Sequence, residues 1–315
     1  MDRVRSPSWR GYLIALASTI TWSTTAIFIS YLTTRFRMPP LVLAFWRNLL
    51  VVGALLAAIT VTARPLLRLE RQHLPFFVLY GLALSVFNAL WTVSVALNGA
   101  AVATVLCYSS PAITALVARL WGGERLGRLK IGALVLSIAG CVFVSGAYDP
   151  ATWRVNPAGA LIGLTAGAAF ATYGLLGKAA SRRGINPWTA TLYTFIFGTL
   201  FLLFVQRPDT LMWLSRPLAE GAAGRHEAAL GWGTLTLLAV GPTVGGYGLY
   251  TVSLTHLPVT TASLITTLEP VLTAGWAFCF LGERLTLPQF LGGGLVLVGV
   301  ALVRLGERGG VAARQ

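Results

Sequence analysis

AAVATVLCYSSPAITALVARLWGGERL, residues 100–126, and VTTASLITTLEPVLTAGWAFCFLGERL, residues 259–285, align without gaps at an offset of 159. Nine of the 27 positions are identical: Ala103/Ala262, Pro111/Pro270, Thr114/Thr273, Ala115/Ala274, Ala118/Ala277, Gly123/Gly282, Glu124/Glu283, Arg125/Arg284 and Leu126/Leu285. The same offset pairs Leu90-Trp91-Thr92-Val93-Ser94 with Leu249-Tyr250-Thr251-Val252-Ser253. Nearer the N-terminus an offset of 148 pairs Gly11, Leu13, Ile14 and Leu16 with Gly159, Leu161, Ile162 and Leu164; the longer linker at 206–227 accounts for the difference of 11. The chain therefore carries two related halves.

Both halves are apolar throughout. Hydrophobic residues make up 56% of the 315 positions and charged residues 11%, a proportion that a water-facing exterior does not accommodate but a bilayer does. A membrane-spanning helix needs about 20 mostly apolar residues. Ten segments qualify, at 11–32, 39–62, 75–97, 100–121, 128–146, 157–178, 187–205, 230–255, 259–281 and 286–305. Pro40, Pro75, Pro157, Pro187, Pro258 and Pro288 mark segment starts, where the missing N–H costs nothing. A unit of five spans is odd, so its second copy must cross the membrane in the opposite sense. The expected fold is an all-α integral membrane protein of ten transmembrane helices in two inverted five-helix repeats, 11–150 and 151–305, flanked by tails at 1–10 and 306–315. Inverted repeats are a common plan of secondary transporters.

The net charge of +14 raises the question of nucleic acid, but the basic residues form no patch or tail; they are distributed between the apolar segments. With the N-terminus inside, sixteen Lys and Arg fall on the inner side and seven on the outer, with Arg47 left within the second segment. The positive-inside rule then puts both termini in the cytoplasm. Trp9, Trp121, Trp153, Trp188, Trp213 and Trp232 lie near segment ends, as interfacial tryptophans do. Leu211, Met212, Trp213 and Leu214, after a potential cap at Asp209, suggest a short helix along the interface. The first segment follows Arg3, Arg5 and Arg10 but lacks a small-residue cleavage site, so it reads as a retained anchor. Cys107, Cys141 and Cys279 sit in apolar segments without metal-ligand spacing and read as buried small hydrophobes. No metal or cofactor is expected.

Leu268-Glu269-Pro270-Val271, then Leu281-Gly282-Glu283-Arg284-Leu285, Gln289 and Gly292, resembles the closing signature of EamA-domain transporters, a family of the drug/metabolite transporter superfamily. The first half carries the matching Pro111 and Gly123-Glu124-Arg125-Leu126, with Trp22-Ser23 in segment one and Arg47 in segment two. The resemblance covers nearly the whole chain. It implies a bacterial cytoplasmic-membrane carrier of small metabolites, with amino-acid export among the activities found in related proteins. One departure stands out: Ser110 occupies the position equivalent to Glu269, so a mechanism needing a symmetric pair of acids does not carry over.

Glu269 is the one acid well inside an apolar segment. A charge at membrane depth costs roughly 2.5 kcal/mol or more on insertion scales and marks ion or solute routes. A carboxylate there suits reversible protonation or the binding of a cationic group; its bland alternative is to satisfy backbone donors at a helix break beside Pro270. Arg47 is expected either to hold a carboxylate in two hydrogen bonds or to snorkel outward, and a direct Arg47–Glu269 pair is left open. Asn88, Trp91 and Thr92 share a helix face with repeat counterparts Tyr247, Tyr250 and Thr251. Together with Tyr108, Ser109 and Ser110 before Pro111, and with Trp22, Tyr173 and Tyr193, they are candidates to line a central pocket, or else ordinary packing residues. Pro111 and Pro270 are expected to break their helices. The Gly-Glu-Arg-Leu turns and the row Gly159, Gly163, Gly167 read as structural.

Four readings compete. A secondary carrier of amino acids or related amphipathic solutes by alternating access fits best, with proton coupling and oligomeric state left open; without a GxxxxGK[ST] loop it would run on gradients. An uncoupled facilitator fits the same residues. A lipid flippase or non-transporting scaffold is a further reading, and specific stabilisation of the folded protein by small polar solutes would favour the carrier over it. An intramembrane enzyme is disfavoured, since His73, His226 and His256 lie in or beside loops and no HExxH, GxSxG or paired aspartates occur in the spans.

Overall fold

The computed structural model describes residues 9–120, 127–144, 146–149, 157–206, 225–281 and 286–312. Every regular element among them is helical: α1 (Trp9–Ser23), α2 (Thr25–Arg35), α3 (Pro40–Thr62), α4 (Leu74–Cys107), α5 (Ser110–Leu120), α6 (Arg128–Val144), α7 (Pro157–Arg182), α8 (Pro187–Val205), α9 (Arg225–Leu238), α10 (Val244–His256), α11 (Val259–Thr266), α12 (Glu269–Leu281) and α13 (Leu287–Ala312), with 3₁₀ turns at Arg64–Leu67 and Arg71–His73. Among the described residues, six stretches are long and apolar enough to cross a membrane: Trp9–Thr33, Pro40–Thr62, Arg71–Trp91, Ala158–Arg182, Pro187–Val205 and Glu227–His256. Ser110–Leu120 and Leu287–Leu302 are shorter apolar helices. The Gly-Glu-Arg-Leu turns and the interfacial segment around Trp213 lie outside the described residues.

Prolines start helices as their chemistry requires. Pro40 and Pro187 occupy first-turn positions of α3 and α8, and the Asn186 side chain caps α8 by accepting from the Trp188 N–H at 2.9 Å. Pro111 and Pro270 do the same in α5 and α12. Each lies in the first turn of a new helix, and the breaks fall just before them, at Tyr108–Ser109 and Thr267–Leu268; the preceding helices end at Cys107 and Thr266, whose carbonyls a proline four residues on cannot satisfy. There the chain tightens into three-residue turns, Ser109 N–H to Leu106 C=O at 3.2 Å and Thr267 N–H to Leu264 C=O at 3.2 Å.

Two further interruptions have local causes. Ser23 and Thr24 direct their hydroxyls to the carbonyls of Ile20 and Thr21 at 2.7 and 2.8 Å, competing with the helix ladder between α1 and α2. Between α9 and α10, Ala239–Thr243 widens into one π-helical turn around Pro242. Pro242 cannot donate to the Leu238 carbonyl four residues back; the Thr243 hydroxyl does so instead, at 2.8 Å.

Residues 98–99, where the sequence suggested a linker, lie within the span of α4, yet the chain turns back between Ser94 and Leu106. A Cβ on Gly163 of α7 would lie 2.7 Å from both Ser94 Oγ and Leu106 Cδ1, positions that a straight helix would hold about 18 Å apart.

Three antiparallel helix pairs organise the rest. Gly11 lies against His256 and Leu257, and Trp22 against Gly246, so α1 opposes α10. Tyr80 lies against Gly177 and Ser94 against Gly163, so α4 opposes α7. These two pairs correspond under the sequence offsets, since Trp22 maps to Phe170 and Gly246 to Phe87, and the Phe87 and Phe170 rings are 4.8 Å apart. In the third pair, α6 and α13, a Cβ on Gly140 would stand 2.6 Å from the Gly292 carbonyl oxygen, and one on Gly299 would stand 2.9 Å from the Ala133 carbonyl oxygen. At an offset of 159, Gly140 becomes Gly299 and Ala133 becomes Gly292, so one contact is the image of the other. In a bilayer, where apolar burial does not drive helices together, such backbone approach does. Gly140→Val is therefore expected to overpack this seam by about 1–3 kcal/mol and to lower the midpoint of thermal unfolding in detergent; an unchanged midpoint would contradict the contact.

Cys107 and Cys141 are buried as expected, but Cys279 is exposed. It lies one turn beyond the part of α12 that docks on α1, where Thr273 donates to the Ser23 carbonyl at 3.0 Å and the Trp276 indole to Ser23 Oγ at 2.8 Å.

Candidate functional site

A cavity of about 100 Å³ lies where the interrupted helices meet, room for several waters or a small solute. Trp22, Thr25, Ile29, Arg47, Phe87, Asn88, Trp91, Cys107, Tyr108, Phe170, Thr243, Tyr247 and Glu269 line it. Both halves contribute equivalent positions: Trp22 and Phe170 at an offset of 148, Asn88 and Tyr247 at 159.

Its charged groups are held apart. Arg47, on α3, is 6% exposed, so it does not snorkel. It donates from Nη2 to Asn88 Oδ1 at 3.0 Å, and its Nε has no hydrogen-bond partner among the described residues. Glu269 is the first residue of α12, where a negative charge meets the positive end of the helix dipole. It is half-buried and accepts a hydrogen bond from the Tyr108 hydroxyl at 2.8 Å. Tyr108 belongs to the break before α5, so the interrupted turn of one half supports the acid of the other. Arg47 and Glu269 form no ion pair with each other.

The wall between them is aromatic. Trp22 meets Tyr247 edge-on at 4.8 Å, with its ring laid against the backbone of Gly246. Ser18, one turn earlier, fixes the same place by donating to the Gly246 carbonyl at 2.7 Å.

Of the residues singled out in the sequence, Glu269, Arg47, Asn88, Trp91, Tyr108, Tyr247 and Trp22 meet at the cavity. Ser110, Tyr173 and Tyr250 do not. Ser110 is fully buried at the start of α5. Tyr173 and Tyr250 are 0% and 2% exposed and stack with Phe170 and Tyr80 in the core behind the cavity wall. They share helices with Phe170 and Tyr247, three residues along, but their rings turn toward the neighbouring helix. Tyr193 donates to the Leu67 carbonyl at 2.7 Å, away from the cavity, and Thr251 bonds back to the Tyr247 carbonyl in its own helix. Thr25, Ile29, Phe87, Cys107, Phe170 and Thr243 were missed. Phe170 was findable as the repeat image of Trp22, and Thr243 follows the proline that opens the π turn.

A bundle of apolar helices enclosing a small, partly charged cavity defines a multi-pass membrane transporter. The chain belongs to the EamA-like transporter family, whose profile matches residues 9–146 and again 157–305, and with it to the drug/metabolite transporter superfamily. It is similar to the Bacillus subtilis transporter YwfM, 25% identical with 85% of this chain and 86% of that protein covered. It is also similar to the threonine/homoserine exporter RhtA of Escherichia coli K12, 27% identical with 72% and 70% covered. A solved crystal structure superposes with a TM-score of 0.74 at 17% identity, covering 95% of this chain and 98% of the other; at that identity it speaks for the fold alone.

Proposed function

We propose that the protein is a secondary carrier that exports small zwitterionic solutes, amino acids or close relatives, across a bacterial cytoplasmic membrane by alternating access. Two inverted five-helix units, 11–150 and 151–305, would enclose the site, with tails 1–10 and 306–315 in the cytoplasm. The observation that carries the reading is the separation of Arg47 and Glu269 on one small aromatic-walled cavity, each supported by a neutral hydrogen-bonding neighbour and not by the other. Such a site fits a solute that brings its own carboxylate to the guanidinium and its own ammonium to the acid. The aromatic wall accepts a short apolar or hydroxylated side chain. RhtA, a relative that exports threonine and homoserine, supports the solute class.

The test is efflux from proteoliposomes loaded with radiolabelled threonine, homoserine or alanine, compared with the corresponding amines and carboxylic acids. Export of the zwitterions alone supports the reading. Equal movement of all three classes, or of none, would overturn it.

A further inference from the structure

We propose that two contacts, Arg35 with Glu227 and Arg183 with the Phe76 ring, are the latches that close the cavity at its opposite ends. The inference rests on the alternating-access reading above and adds its control points.

The two arginines are repeat images, since Arg35 plus the offset of 148 is Arg183. Arg35 ends α2, and Arg183 directly follows the last residue of α7. Each reaches across to the other half of the chain, near the start of an apolar stretch. Arg35 forms an ion pair with Glu227, at the beginning of α9. The Arg183 guanidinium stands 4.2 Å from the centroid of Phe76, in the first turn of α4. The ends are opposite because Gly11, at the other end of the first apolar stretch from Arg35, packs on Leu257, while Lys178, one turn before Arg183, donates to the carbonyls of Leu254 and Leu257 at 2.7 and 2.8 Å. Arg183 thus shares an end with Gly11 and Leu257, and Arg35 lies at the far one.

Each contact caps an aromatic closure. Beneath Arg35–Glu227, Trp46 and Trp232 meet at 5.1 Å; beneath Arg183, Phe76 meets Tyr80 at 5.9 Å and Tyr80 meets Tyr173 at 5.0 Å. The two latches are similar in strength but different in kind. An exposed ion pair is weak and screened by salt, whereas a cation over a ring face is comparably weak and less sensitive to salt. Neither locks the molecule, and salt biases it toward opening at the Arg35 end.

Cys107 lines the cavity, so its thiol reports access. In a Cys141→Ser, Cys279→Ser background, Cys107 is labelled with a membrane-impermeant maleimide from either face, using intact cells and inverted vesicles. Glu227→Gln is expected to raise the labelling rate about two- to fivefold from one face only, and Arg35→Glu combined with Glu227→Arg to restore it. Arg183→Gln, and separately Phe76→Leu, are expected to raise it from the opposite face only. Raising salt from about 0.05 to 0.5 M should mimic Glu227→Gln and add nothing to it. Labelling that is unchanged in these variants, or that rises on both faces together, overturns the latches. Solute efflux by the parent protein is measured in parallel. Efflux with unchanged labelling sinks the latches alone, whereas face-selective labelling without efflux sinks the transport reading and leaves the latches standing.

Discussion

Arg47→Gln is expected to lower kcat/KM for a zwitterionic solute by about 30- to 1,000-fold, the range seen when one partner of a buried, hydrogen-bonded charge contact is truncated. The side chain is 6% exposed on α3, its Nη2 is engaged by Asn88, and its Nε has no acceptor among the described residues. It lies on the cavity with no carboxylate already neutralising it, so an arriving carboxylate meets a cation whose placement is already fixed. Arg47→Lys should recover only part of the loss, because an ammonium lacks the planar two-donor fork. Counterflow of labelled threonine in proteoliposomes, with thermal unfolding of the same preparations, separates lost binding from lost folding. A glutamine variant that folds and transports at the parental rate would remove Arg47 from the site.

Glu269→Gln is expected to abolish the dependence of efflux on a pH gradient. One carboxylate cannot hold a proton and a solute ammonium together. On the proposed cycle the solute would bind with the ionised acid facing the cytoplasm, and on the far side a proton would take its place and release it. Acidifying the receiving side should therefore accelerate efflux by the parent protein. The amide has nothing to titrate, so the variant should respond to neither side. Tyr108→Phe, which removes the 2.8 Å hydrogen bond to Glu269, should keep a pH response but shift it along the pH axis, since the hydroxyl donates to the charged form of the acid. A parent protein indifferent to pH would instead identify a facilitator.

The duplicated stretch at 100–126 and 259–285 told most of what the sequence could tell. It separates the halves, and its offset of 159 pairs Asn88 with Tyr247, as the N-terminal offset of 148 pairs Trp22 with Phe170; all four meet at the cavity. Glu269 and Arg47 were legible because charge inside an apolar run has few bland explanations. The helix interruptions were less legible. Pro111 and Pro270 marked the right places, because the carbonyls of Cys107 and Thr266 lose their donor four residues on, but which residues unwind was not legible: they are Tyr108, Ser109, Thr267 and Leu268, ahead of each proline. Tyr250 was misplaced for a geometric reason. It shares α10 with Tyr247, three residues on, and periodicity puts both on one broad face without saying which of two neighbouring helices each ring addresses. Cys279 was read as buried because apolar segments look alike from within; only the docking of Thr273 and Trp276 onto Ser23 shows which part of α12 packs on α1, and Cys279 lies one turn beyond it.

The glycine seam between α6 and α13 sets a mechanical constraint on any such cycle. Backbone atoms there approach so closely that an axial slip of one residue, about 1.5 Å, would drive a side chain into a carbonyl at Gly140, Gly292 or Gly299. A gap of about 0.5–1 Å already forfeits a quarter to a half of such dispersion attraction, so parting the two helices weakens the attachment steeply. The pair can turn about its own length but neither shear nor peel. In the proposed cycle it would act as an axle, with strokes confined to rotation around it and the bending left to the four points where the other helices are already interrupted.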